Sequence, residues 1–182
     1  MSIVKQAATQ MELADEAGAL LRDDMTPRQA IEALLAADEP QEAVKLLARL
    51  LPKRYAVAWL CQCARDQQLS VEDRAGVSLA EHWVREPNEA NRRAAFEFAN
   101  AGNYESLGAW LAASAGWADG SLAPAKQETP VPPAEHLTAV AAVAAVNMLA
   151  ALAADQFDTR RLEFIKRAMD LLGQPASASG RP

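Results

Sequence analysis

The chain has 182 residues, 51% of them hydrophobic but only 5% aromatic, and 24 acidic against 18 basic residues leave a net charge of −6. A negative chain without a basic stripe argues against a nucleic-acid partner, because neutralising phosphates takes clustered Lys and Arg. A dedicated structural zinc site takes about four Cys or His ligands, and the chain offers two of each with His82 and His136 far apart in sequence, so no such site is expected.

A length of this order predicts one domain, and richness in Ala and Leu predicts an all-α class. The opening "MSIVKQAATQMELADE" turns acidic where a secretory signal needs an uninterrupted apolar run, so the expected compartment is the cytoplasm. Residues 1–51 carry nine acidic and five basic side chains, a net of −4. The acidic pairs Asp15-Glu16 and Asp23-Asp24 read first as solvated helix ends and second as a surface for a protein partner.

Thr26-Pro27 places an N-cap before a proline at the first helical position. Ala30, Ile31, Leu34 and Leu35 then recur at helical spacing. "DEP" at 38–40 breaks this helix, and Ala43, Val44, Leu47, Leu50 and Leu51 mark a second that ends near Pro52. From Lys53 to Arg65, Tyr55, Trp59 and Cys63 share one face while Val57, Leu60, Cys61 and Ala64 occupy the others. A helix apolar nearly all round is expected in the core. Its two cysteines lie two positions apart, so their sulfurs point about 200° away from each other and can neither pair nor chelate together. Both read as buried apolar residues.

Ser70 opens another helix with "SVED", a capping box in which Asp73 stands where Glu or Gln is usual. Val77, Ala80 and Val84 follow at helical spacing, flanked by Leu79 and Trp83, and Pro87 stops it. "GVSLA" around Ser78 lacks the second glycine and the strand that a nucleophile elbow needs. His82 reads as an exposed helix residue, and His136 as part of a first helical turn. Ala94, Ala95 and Phe98 are expected on the inner side of the next helix, which Gly102 ends. Leu107, Trp110, Leu111 and Ser114 are expected on the inner side of the one after.

Residues 118–133, "ADGSLAPAKQETPVPP", hold four prolines and a glycine in sixteen positions, and read as a long strap without regular structure. A pair of helices over 135–173 completes the domain. The first, "LTAVAAVAAVNMLAALAAD", is alanine-rich, interrupted by Asn147 and without flanking Lys or Arg, which favours a buried helix over a membrane span. The second shows Leu162, Ile165, Met169 and Leu172 as a stripe ended by Gly173. Residues 174–182 read as a disordered tail.

The run "ALLAADEPQEAVKLLARLLPKRYAVAWLCQCAR", then "HWVREPNEANRRAAFEFA" and "GWADGSLAPAKQETPVPP", resembles a bacterial, all-helical family of unknown function. The resemblance covers roughly residues 27–133 and more weakly the last two helices. It implies no catalytic residues, and it implies an association with type VI secretion gene neighbourhoods.

The sequence thus predicts one compact bundle, residues 1–173, of about seven or eight helices. Residues 53–65 and 137–154 are expected to be the most buried. The expected function is that of a non-catalytic adaptor or accessory protein with no metal and no cofactor, binding another protein through Asp15, Glu16, Asp23, Asp24, Trp110 and Trp117. The alternative is a small-ligand binder or enzyme with a site near Trp110, Trp117 and the strap, because long ordered loops often carry function. Oligomeric state is left open.

Overall fold

The computed structural model describes residues 1–172. The expected stop at Gly173 and the tail at 174–182 lie outside the described residues. Thr26 caps helix α3 (Pro27–Ala36) by accepting from the Gln29 amide, and the Gln29 side chain returns the bond to the Thr26 amide. The expected N-cap is thus a full capping box, closed by Gln29. α4 (Pro40–Leu50) starts at its own proline, and α5 (Lys53–Arg65) follows Pro52. Beyond them run α6 (Val71–Arg85), α7 (Glu89–Ala101), α8 (Leu107–Gly116), α9 (Leu137–Ala151) and α10 (Phe157–Met169), with a short 3-10 turn at Ala154–Gln156. Two helices precede these, α1 (Ile3–Gln10) and the single turn α2 (Asp15–Gly18). The described residues therefore form an all-α fold of ten helices with no strand.

One continuous apolar core runs from Val4 to Met169. α8 lies at its centre, packed on α6, α7 and α9, while α5 packs on α6, α8 and α9. Every residue of α8 except Trp110 is buried. α5 and α9 are deeply placed as expected, but α8 is the most enclosed helix. Its small residues explain this. A Cβ on Gly108 would lie 2.7 Å from the Asp73 Cα, and one on Gly116 would lie 2.6 Å from the Phe96 Cα. At Gly76 a Cβ would collide with the Gly108 backbone. Backbones meet at these crossings, and only glycine lets them do so.

The unusual Asp73 of the capping box has a structural reason. Ser70 accepts from the Asp73 amide, but the Asp73 carboxylate accepts from the Gly108 amide at 2.9 Å. It satisfies an orphan donor in the first turn of α8, so one short acidic side chain ties two helix N-termini together at the glycine crossing.

α10 closes the bundle against α9, α4 and α5. Trp59 is fully buried and donates its indole N–H to the Phe164 carbonyl at 2.8 Å, so the central ring of the aromatic α5 helix has its polar atom satisfied. Ile165 and Met169 are buried on α10 as expected and Leu172 packs on the core, while Arg161, Phe164 and Ala168 widen the packed face and Leu162 is half-buried at its edge. α9 turns by 112° into the segment containing α10, and among the described residues no single helix is long and apolar enough to cross a membrane.

α1 packs on α4 through Val4, Ala7 and Ala8. Glu42, a buried acid on α4, accepts from the Ala14 amide at 2.9 Å and pairs with Lys45 at 3.1 Å. The N-terminal pair of helices is thus fastened to the bundle by a charge-assisted bond.

Candidate functional site

Trp110 and Trp117 are seven residues apart on α8, so they rise from the same side of the helix. Trp117 is its C-cap. Leu107, Leu111 and Ser114 are buried as expected, but Trp110 is half-buried and stands at the edge, not on the inner side. The two indoles meet edge to face, with centroids 5.9 Å apart at 88°. Tyr104, in the connection between α7 and α8, lies 5.6 Å from Trp110 and 5.4 Å from Trp117. Such spacings are those of favourable aromatic pairs. All three rings keep part of their surface in solvent.

The chain reaches this arrangement through two consecutive residues in the left-handed region, Asn103 (φ 52°) and Tyr104 (φ 57°). Asn tolerates that conformation, whereas a bulky residue held there costs about 1–3 kcal/mol. The ring contacts and a 2.6 Å bond from the Tyr104 hydroxyl to Asn100 Oδ1 hold it in place. Burial pushes the Tyr104 hydroxyl pKa up, and a hydrogen bond from Trp117 works in the opposite direction. Sequence periodicity gave no access to Tyr104, because it lies in a turn and has no helical phase relation to the tryptophans. The one local signal was Gly102-Asn103, a pair suited to a left-handed turn.

The strap begins directly after Trp117 and is pinned by two neighbouring arginines of α7. Arg92 is 1% exposed. Its Nε and one terminal nitrogen donate to the two oxygens of Glu89 at 2.7 and 2.6 Å, and its guanidinium also donates to the carbonyls of Gly116 (2.7 Å) and Ser121 (3.4 Å). A buried cation is tolerable only when so fully bonded. The hydrogen bond from Arg92 and its charge lower the pKa of Glu89. Gly120, at φ 70°, leaves room for the guanidinium, which a Cβ there would strike. Arg93 donates to the Ala123 carbonyl at 2.9 Å, and Lys53 donates to the Ala118 carbonyl at 3.0 Å. Arg92, Ala95, Phe96 and Ala99 therefore make the inner face of α7, with Ala94 exposed. Of the expected inner residues, Ala95 is buried and Phe98 packs on the core, whereas Ala94 is exposed and Arg92 is buried instead. Residues 118–123 of the strap are fastened, whereas 124–132 are exposed.

The remaining candidates are dispersed. Asp15, Glu16, Asp23 and Asp24 are all exposed. Asp23 accepts from the Ser2 amide at 3.0 Å and lies 3.8 Å from Lys5 Nζ, and Asp24 pairs with Arg22 at 3.1 Å. The Ser2 amide, first among several causes, lowers the Asp23 pKa. Asp15 lines an open groove of about 480 Å³ between α1 and the α2 region. Cys61 and Cys63 are buried, and burial pushes both thiols up to about 12. Ser78 and His82 are exposed on α6. His136 lines a different groove, of about 340 Å³, with Met11, Lys45, Val140 and Val143. A cleft of about 280 Å³ at the base of the strap is lined by Lys53, Trp83, Glu89, Arg92 and Asp119. Among the described residues no group of three or more His, Cys, Asp or Glu could hold a metal ion.

Fold and site together define an all-helical protein carrying an aromatic cluster beside a pinned strap. A model of a family of unknown function, DUF6931, matches residues 30–172, and the chain belongs to that family. The aromatic cluster and the strap fall inside the matched segment, whereas Asp15, Glu16, Asp23 and Asp24 fall outside it. No curated protein and no solved structure matches the chain.

Proposed function

We propose that this chain is a non-catalytic accessory protein that docks another protein through Tyr104, Trp110, Trp117 and the adjoining strap. The observation that carries the reading is the trio of partly exposed rings, held by one another and by the Asn100 bond. Trp and Tyr dominate binding hot spots because they bring large area at low entropic cost, and here the rotamer freedom is already restricted. The Trp110 indole N–H makes no hydrogen bond among the described residues and is free to donate to a ligand. The acidic residues Asp15, Glu16, Asp23 and Asp24 are left out of the docking surface, since Asp23 and Asp24 have basic or amide partners of their own.

The resemblance to a bacterial family suggests the type VI secretion apparatus as the machinery served, in the cytoplasm. The test is affinity capture from the native cell with the full chain as bait, in parallel with its Trp110→Ala variant. A partner retained by the wild type and lost by the variant is the expected result. A partner bound equally by both overturns this docking surface. The small-ligand alternative, a site near Trp110, Trp117 and the strap, has as its signature a metabolite that raises the melting temperature in a concentration-dependent way. The cleft at the base of the strap is lined by neither of these tryptophans.

A further inference from the structure

Every residue from Thr129 to Pro133 either is a proline or precedes one. Proline fixes its own φ near −65° and drives the residue before it into the extended region, so this stretch is built for the polyproline II conformation. Its surface is outward: Thr129, Pro130 and Pro132 are exposed and Val131 is 46% exposed. Two short bonds hold it in that position. The Val131 amide donates to Ser121 Oγ at 2.8 Å, and the Val131 carbonyl accepts from the Leu122 amide at 2.7 Å. Ser121 and Leu122 belong to the part of the strap fastened by Arg92 and Arg93, a few residues beyond Trp117. The result is a preformed proline ridge whose Pro130 and Pro132 carbonyls accept no hydrogen bond among the described residues.

Polyproline II ridges are recognised by clustered Tyr and Trp rings that grip the pyrrolidines while an indole N–H donates to a ridge carbonyl. This chain carries both halves. The cluster of Tyr104, Trp110 and Trp117 offers the rings and the free Trp110 N–H, and the ridge offers the prolines and free carbonyls. Because Pro130, Val131 and Pro132 are exposed, the ridge is not buried against its own cluster, and the ties to Ser121 and Leu122 fix it there.

We propose that the ridge at residues 129–133 docks on the Tyr104, Trp110 and Trp117 cluster of a second copy of the chain. The pair is reciprocal, each copy giving a ridge and receiving one, as a two-fold interface requires. The inference rests on the aromatic cluster being a docking surface and names its occupant.

The test uses the full chain in two measurements. Sedimentation over a range of concentrations should show a monomer–dimer equilibrium. The Pro130→Ala/Pro132→Ala variant, altered only at exposed strap positions, should weaken the dimer by about tenfold or more, the loss expected when an interface anchor is removed. In the second measurement, a synthetic peptide of residues 126–135 is titrated into the chain while the Trp110 indole N–H resonance is followed. A saturable shift is expected, and none with the peptide in which Pro130 and Pro132 are Ala. A chain that stays monomeric, or a dimer that the proline substitutions leave intact, overturns the inference. A monomeric chain that still captures a cellular partner through Trp110 sinks the second-copy assignment alone and leaves the docking surface standing.

Discussion

Placing a methyl group on Gly108 tests the central packing of the bundle. In Gly108→Ala the new Cβ would sit 2.7 Å from the Asp73 Cα and 3.0 and 3.1 Å from the Glu72 and Asp73 carbonyl oxygens. All three are backbone atoms, so no side-chain rotation relieves the overlap, and α6 and α8 must move apart. Overpacking of this kind costs about 1–3 kcal/mol. Separation also stretches the 2.9 Å bond from the Gly108 amide to the Asp73 carboxylate, and bonds to charged groups contribute about 1.5–3 kcal/mol. Ala gains back about 1 kcal/mol in helix propensity. The net expectation is a loss of about 1.5–5 kcal/mol, nearer the lower end if the bond is stretched and not lost. Urea unfolding followed by far-UV circular dichroism measures it as a lower midpoint at unchanged slope. Gly18→Ala is the control, because a Cβ there meets nothing within 4 Å, and its stability should hold or rise slightly. If Gly108→Ala is as stable as the wild type, the backbone-to-backbone crossing is not as described.

The cysteines give a second expectation. With both thiols pushed from 9.0 to about 12 by burial, the native protein should react with a thiol reagent only at the rate of unfolding. A raised thiol pKa means the folded state keeps protons that the unfolded chain releases above about pH 9. The contribution of the thiols is then complete below that value and falls as pH rises toward 12. Denaturation midpoints taken across pH 8 to 11 should show that decline and lose this part of it in a Cys61→Ala/Cys63→Ala protein. A third expectation concerns Arg92→Lys, which cannot reproduce the fork to Glu89 and the Gly116 carbonyl. Limited proteolysis should then cut within residues 118–123, a segment resistant in the wild type, and an unchanged cleavage pattern would refute the pinning role of Arg92.

Much of the helix layout was legible because its punctuation is local. The proline at 27 and the caps at Thr26 and Ser70 place helix starts through chemistry that acts within one turn. The depth of α8 was not legible in the same way. A helix of Gly, Ala, Leu and Ser has no polar face to set its orientation, and its burial follows from how closely Gly108 and Gly116 let α6 and α7 approach. Arg92 misleads for a related reason: a charged residue in a helix reads as solvated, and its burial depends on Glu89 and on carbonyls 24 and 29 residues away. α1 does carry a helical pattern in Val4, Ala7, Ala8 and Met11, which a reading of the segment by its charge passes over, whereas the four residues of α2 are too few to show one. Of the site, the two tryptophans were legible from their place beside the strap, whereas Tyr104 joins them only through a left-handed turn.

The glycine crossing also bears on how the chain reaches its fold. α6, α7 and α8 are consecutive, and they pack on one another extensively, so their contacts close short loops at small entropic cost. The bond from Trp59 to the Phe164 carbonyl, by contrast, joins residues 105 apart. Contacts of low sequence separation form early in helical proteins, which makes residues 71–116 the natural nucleus and the docking of α10 on α5 a late step. A substitution at Gly108 then slows refolding, whereas one at the Trp59 contact chiefly speeds unfolding.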